Sequence, residues 1–231
     1  MKTCILIFTS FLFITAASFG QQLKDTVVDV DGNMYHTVKI GKQIWMQENL
    51  KTTKYSDGSP IPKEPNNAKW KKLTTDAYSD YYDKPKMSKQ TGRLYNFYAA
   101  TSPAKICPAG WHVPSNKEWN ILEEYLDNTV DTTITGNLGS DIGGIMKDTG
   151  TAHWSAPNTG ATNSSHFTAL PAGYRNIGGA YLSIGLIGVW WTSSEEDKLN
   201  ASYRFLTYKN SQINRSFVAK NSGLSIRCVR D

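Results

Sequence analysis

The groups in this 231-residue chain best able to do redox, nucleophilic or metal chemistry are three cysteines and four histidines. Cys4 precedes the apolar stretch from Ile5 to Ala17, and Lys2 makes a positive start. Ser18 and Gly20 supply the small side chains needed for a cut before Gln21. Residues 1–20 therefore read as a secretory signal peptide, which removes Cys4 and leaves residues 21–231 as the mature chain. A lipid anchor would need its cysteine after the apolar stretch, so the expectation is a released protein, secreted or periplasmic, with the cell surface as a further place of residence. In an exported chain the two remaining thiols, Cys107 and Cys228, are expected to form one disulfide, two free buried thiols being the alternative. Such a bridge closes a loop worth about 4–5 kcal/mol of chain entropy.

Other catalytic chemistry finds little support. His36, His112, His153 and His166 show no metal-ligand spacing and read as surface or packing residues. The chain holds no nucleophile elbow, no phosphate-binding loop and no dinucleotide fingerprint. A polysaccharide hydrolase needs two carboxylates across a cleft. Glu48, Glu118 and Glu195 are the acids within motifs, but Glu118 reads as a helix cap and Glu48 as a holder of loop backbone. Asp29, Asp31 and Asn33 resemble a calcium loop in part, yet the distal glutamate and flanking helices are missing, so a hairpin turn is preferred. No catalytic residue and no cofactor are assigned; calcium is left open, without a legible ligand set.

Binding is better served by the aromatic content. Seven tryptophans and twelve tyrosines offer flat faces to sugars, with Asn, Asp and Glu to direct hydrogen bonds. Trp190 and Trp191 are adjacent in a strand-like run, so their rings point to opposite faces. One is expected in the core and the other as a platform or under a loop. Ser194 and Glu195 follow, able to bond a ligand or calcium or to satisfy loop amides, and Arg204 could pair with such acids. The candidate ligand set is therefore Trp190, Trp191, Ser194, Glu195 and Arg204.

These side chains must be positioned by a mostly β scaffold. Thr26–Val30 and Met34–Ile40 flank the turn pair Asp31-Gly32, and Gly41-Lys42 turns into Gln43–Met46. The clearest helix starts after Ser115, where Ser115 and Glu118 form a capping box. Trp119, Leu122, Tyr125 and Leu126 are expected on its buried face, with Glu123, Glu124 and Asp127 outward. Residues 136–180, rich in Gly, Ser, Thr and Asn, read as a long loop region anchored at Trp154 and Phe167. Gly188–Ser194, Ala201–Tyr208 and Leu224–Arg230 read as strands. With Lys2 gone, 24 Lys and Arg face 20 Asp and Glu. The whole excess lies in residues 63–93, where eight cations meet four acids. A solvated surface insertion (about 63–91) is the plain reading, and attraction to an anionic polysaccharide the sharper one. Nucleic acid is not expected as a partner, and no apolar run reaches the ~18 residues of a membrane span.

Several motifs together resemble the Fibrobacter succinogenes major paralogous domain, a bacterial secreted-protein family. They are Val30-Asp-Gly-Asn-Met-Tyr, Ile44-Trp-Met-Gln-Glu-Asn-Leu, Gly92-Arg-Leu-Tyr-Asn, Cys107-Pro-Ala-Gly-Trp-His-Val-Pro-Ser, Trp190-Trp-Thr-Ser-Ser-Glu and Ser225-Ile-Arg-Cys-Val-Arg. The resemblance spans about residues 27–230, so one domain fills the mature chain and no sorting domain is expected after it. Pro114-Ser-Asn-Lys-Glu-Trp is also similar to the formylglycine-generating-enzyme-like domains. That likeness implies an α+β, C-type-lectin-like fold with a small twisted antiparallel sheet, one or two helices and long irregular loops. It does not carry the enzyme's chemistry, because Cys228 has no second thiol nearby in sequence. The expectation is a non-catalytic binding module, glycans leading, with an extracellular polysaccharide hydrolase as the runner-up and a structural or adhesive module that binds a cell-surface protein as the third reading.

Overall fold

The computed structural model describes residues 20–231, with side chains from Asp25 onward. The expected leader therefore lies outside the described residues up to Phe19. The chain runs through β1 (Gly20–Val28), β2 (Met34–Ile40), β3 (Gln43–Met46), α1 (Asn67–Trp70), β4 (Tyr78–Ser79), a 3-10 turn (Tyr81–Asp83) and α2 (Pro85–Thr91). There follow β5 (Leu94–Tyr95), α3 (Phe97–Ala100), β6 (Trp111–His112), α4 (Asn116–Leu126), β7 (Gly136–Leu138), α5 (Ile142–Met146) and β8 (Tyr174–Arg175). The last elements are β9 (Tyr181–Leu182), β10 (Ile187–Glu195), β11 (Asn200–Thr207), β12 (Ile213–Ala219) and β13 (Val229–Arg230).

The architecture is α+β. One antiparallel sheet has the order β1-β2-β3-β13-β6, a second has β10-β11-β12-β7, and two short ribbons pair β4 with β5 and β8 with β9. This is more sheet than the one small sheet expected, and the helices exceed the expected one or two. The extra helices, α1, α2, α3 and α5, have at most seven residues each. Turns this short are below what periodicity can detect and rest on tertiary contacts. The expected strand over 224–230 shrinks to β13, its earlier residues making only isolated bridges.

The sheets and α4 enclose two cores. β10 divides them, because its alternation sends Val189 and Trp191 to one side and Trp190 to the other. The first core collects Tyr35, Met46, Tyr95, Phe97, Trp111 and Trp191 around the disulfide. The second packs Trp45, Trp119, Trp154, Phe167 and Trp190 against Leu122 and Leu206. Ring pairs such as Trp45–Trp119 at 5.0 Å and Phe97–Trp191 at 5.4 Å each add about 0.5–1.5 kcal/mol beyond area burial. Gly188 is required beside them, since a Cβ there would lie 2.4 Å from the Trp190 ring.

Helix α4 starts as expected. The Ser115 hydroxyl accepts from the Glu118 amide at 3.3 Å, and the Glu118 carboxylate accepts from Ser115 N at 2.8 Å. Ser115→Ala should cost about 1 kcal/mol in urea unfolding with the slope unchanged. A loss below about 0.3 kcal/mol would show that strand packing alone holds this end. The buried face is corrected at two positions. Glu123 is fully buried, whereas Tyr125 is exposed, its ring lying over Gly41. At about 100° per residue, Glu123 sits about 40° from Trp119 and within its stripe, and Tyr125 about 120° away. Helical geometry outranks charge here because a buried partner awaits the carboxylate.

Candidate functional site

The residues expected to meet a ligand hold the scaffold instead. Trp190 and Trp191 point to opposite faces, but both are fully buried. The Trp190 indole donates to Asn49 Oδ1 at 2.8 Å, and the Trp191 indole to the Tyr95 carbonyl at 2.8 Å. All seven tryptophans are in fact buried: the two cores take six of them, and Trp70 lies under the Arg175 guanidinium. Arg204 is buried too, its Nε on Glu123 Oε1 at 2.5 Å and its Nη atoms on Asn116 and Asn120. Burial lifts the Glu123 carboxyl above its ordinary range, and the facing guanidinium offsets only part of that. The Ser194 hydroxyl accepts from Asn116 N, so it fastens the start of α4 to β10. Ser194 is half-buried, and Glu195 is exposed and pairs with Lys220 at 2.8 Å.

Other motif residues form equally closed networks. Asn49 Oδ1 accepts from Trp190 and from Nε and Nη2 of the fully buried Arg227, which also donates to the Phe167 and Thr168 carbonyls. Three widely separated motifs thus meet at one amide. Glu48 holds His36 through its amide and ring, as a backbone holder should. Asp29 accepts from Asp31 N, Asn33 N and the Tyr35 hydroxyl, and Asp31 from Thr53. The Asp29 oxygens are committed to the hairpin turn, and those of Asp31 to Thr52, Thr53 and Lys54. Among the described residues, no group of three or more His, Cys, Asp or Glu is arranged to hold a metal ion. None of the helices there is long and apolar enough to cross a membrane.

His112 is the one histidine with two carboxylate partners. Its Nε2 meets Glu118 at 2.6 Å and its Nδ1 meets Asp231 at 2.5 Å. Burial lowers its pKa, but these two contacts outweigh burial and raise it. The same Glu118 caps α4, so the triad ties β6 to the helix start and to Asp231. It borders a cavity of about 340 Å³ beside Cys107, with Lys105, Trp111 and Ser193 in its lining. Cys107 and Cys228 are bonded, with Cα atoms 6.1 Å apart.

The concave site with the most apolar character lies on the first-core face of the second sheet. Tyr203 and Phe205 occupy alternate positions of β11, so both rings rise from one face. They stack with centroids 5.9 Å apart at 26°. Facing them are Tyr174, Ile187 and Val218, with buried Val189 and Leu224 as the floor of a groove of about 200 Å³. On β12, Asn214 pairs with Phe205 and Ser216 with Tyr203, which places two polar side chains on the same face. Burial raises the Tyr203 hydroxyl pKa, and its hydrogen bond with Ser216 takes back part of the shift. The phenol therefore stays protonated at neutral pH. The lining holds no carboxylate, imidazole or thiol, so what it offers a guest is stacking and hydroxyl or amide bonds. Its volume is below the roughly 300–1,000 Å³ of drug-sized sites, so it suits one ring and not a whole oligomer.

Sequence reasoning passed over Tyr174, Tyr203 and Phe205 in favour of the adjacent tryptophans. The signal was present in the two aromatics at alternate positions of Tyr203-Arg-Phe205. Which face of that strand stays open is a property of the tertiary packing.

Residues 38–230 match the family model of the Fibrobacter succinogenes major domain. No curated protein and no solved structure matched the chain.

Proposed function

This chain belongs to the Fibrobacter succinogenes major domain family, and we propose that it is a secreted, non-catalytic binding module whose ligand is a glycan. One sugar ring stacks in the groove on Tyr203 and Phe205, with Asn214 and Ser216 bonding its hydroxyls. The observation that carries this reading is the stacked, half-buried pair of aromatic rings beside polar side chains on one sheet face. A lining without carboxylate, imidazole or thiol supports binding over group transfer. The disulfide supports an oxidising, extracytoplasmic location. The C-type-lectin-like fold belongs to the same reading. It is supported by two antiparallel sheets, one long capped helix and a disulfide that ties the chain before β6 to the chain entering β13.

The test is a glycan array with residues 21–231, run with calcium and with a chelator. Selective binding to one polysaccharide class is expected, weakened about tenfold or more by Tyr203→Ala, which corresponds to about 1.4 kcal/mol or more. Loss under chelation would add a calcium site to the reading. No selective glycan, or equal binding by Tyr203→Ala, overturns it. Capture of an apolar peptide side chain in the groove would then make this a protein-binding module.

A further inference from the structure

The basic segment 63–93 has its charges sorted by the fold. All four of its acids are engaged locally. Glu64 accepts from Asn66 N, Asp76 accepts from the Tyr55 hydroxyl, Asp80 bridges Lys63 and Arg93, and Asp83 pairs with Lys63 at 2.5 Å. Lys63 and Arg93 are thereby used up. The other six cations, Lys69, Lys71, Lys72, Lys84, Lys86 and Lys89, are exposed. Among the described residues none of them is in an ion pair. An insertion that only needed solubility could neutralise itself, but here each carboxylate is committed to a partner other than these six lysines, which are left facing water.

Aromatic rings join the two lysine groups. Arg175 clamps the first group by donating to the Glu64 and Pro65 carbonyls and to Asn67 Oδ1. Its guanidinium lies between Trp70, at 4.1 Å, and Tyr181, at 4.7 Å. Tyr181 in turn contacts Tyr82 at 5.4 Å, two residues before Lys84. Tyr82 and Asp83 both take left-handed backbone, at φ 53° and 54°, which side chains other than glycine adopt at a cost of about 1–2 kcal/mol each. The Lys63–Asp83 pair and the bonds from Asp83 N and Lys84 N hold this turn. The turn leaves the Tyr82 ring half exposed between the lysine groups, edge-on to Tyr81. Strain maintained by the surrounding structure is a mark of a working surface.

We propose that this strip, Lys69–Lys72, Tyr181, Tyr82 and Lys84–Lys89, binds an acidic polysaccharide. A sugar ring lies on Tyr82, and the carboxylates or sulfates of neighbouring sugars meet the lysine groups on either side. The proposal shares the glycan class with the proposed function but uses a different face, so each can fail alone. Nucleic acid is less favoured, because the disulfide supports an oxidising compartment for the chain. The segment also exposes lysines and no unpaired arginine for bidentate phosphate contacts.

The experiment measures binding of residues 21–231 to immobilised polygalacturonate and to dextran sulfate, with neutral dextran, single-stranded DNA and polyglutamate as competitors. Between about 0.1 M and about 1 M salt, screening shortens from about 10 Å to about 3 Å, and binding should be lost across that range. The variant K84E/K86E/K89E should bind about tenfold or more weakly and Y82A about threefold, both with unchanged melting. The control K39E/K42E/K198E carries the same change in net charge and should bind like wild type. A preference for polygalacturonate assigns a uronate ligand, and one for dextran sulfate a sulfated ligand. Equal loss in the control, absence of salt-sensitive binding, or tighter binding of DNA or polyglutamate overturns the proposal.

Discussion

Replacing Cys107 and Cys228 together with alanine should cost about 4–5 kcal/mol of stability. For a domain of this size that lowers the melting temperature by roughly 10–20 °C. The loop closed by the bond spans 121 residues, so without it the unfolded chain recovers a large conformational entropy. The folded state should change little, since Val229 still pairs with both Trp45 and His112 and holds β13 between β3 and β6. Near-ultraviolet circular dichroism of the variant at low temperature should therefore match wild type, while thermal and guanidinium midpoints fall. Wild type unfolded in the presence of reductant should show the same loss. A shift under about 3 °C in both would mean that the denatured chain is already compact, and that loop entropy is the wrong account.

Arg204→Met is expected to cost about 3–5 kcal/mol, because it strands a carboxylate in the core. Both side chains of the Arg204–Glu123 pair are fully buried, and Glu123 Oε2 has no hydrogen-bond partner of its own. With the guanidinium gone, burial of Glu123 is opposed only by the weaker pull of Arg215. The folded-state pKa rises further above the unfolded value, so the folded protein holds the proton to higher pH. Stability of the variant should then fall as pH rises from about 4.5 through that raised value, and be recovered in part below it. The double variant Arg204→Met/Glu123→Leu should regain most of the loss at neutral pH, since Asn116 and Asn120 are half-buried and able to bond water. Urea unfolding of the three proteins at two pH values checks this. Equal stability of the single and double variants would show that the ion pair acts through packing and not through charge.

These two expectations mark how far the sequence could be read. The disulfide followed from cysteine count in a chain expected to be exported, and the capping box from two residue types at the right spacing. The hairpin β2–β3 and the helix α4 were equally legible, because local hydrogen bonds and apolar periodicity decide them. Family membership rested on rare residues in a fixed order. Glu123 and Tyr125 were misassigned by weighing charge over helical phase. The phase alone would have placed them, but nothing local announces that Arg204, some eighty residues later, will be waiting inside.

The candidate site separates the two kinds of information most clearly. Alternation established that Trp190 and Trp191 point to opposite sides of β10, and that Tyr203 and Phe205 share a side of β11. Alternation does not say what covers a face. That depends on Asn49, Tyr95, Phe97, Trp119 and Phe167 arriving from distant segments to close over both tryptophans, while the face under Tyr203 stays open. The charge of residues 63–93 was likewise visible as a count, but which lysines remain unpaired was decided by where Asp80 and Asp83 meet Lys63 and Arg93. Periodicity and composition are properties of neighbours along the chain, whereas burial and charge pairing depend on contacts between segments far apart in it.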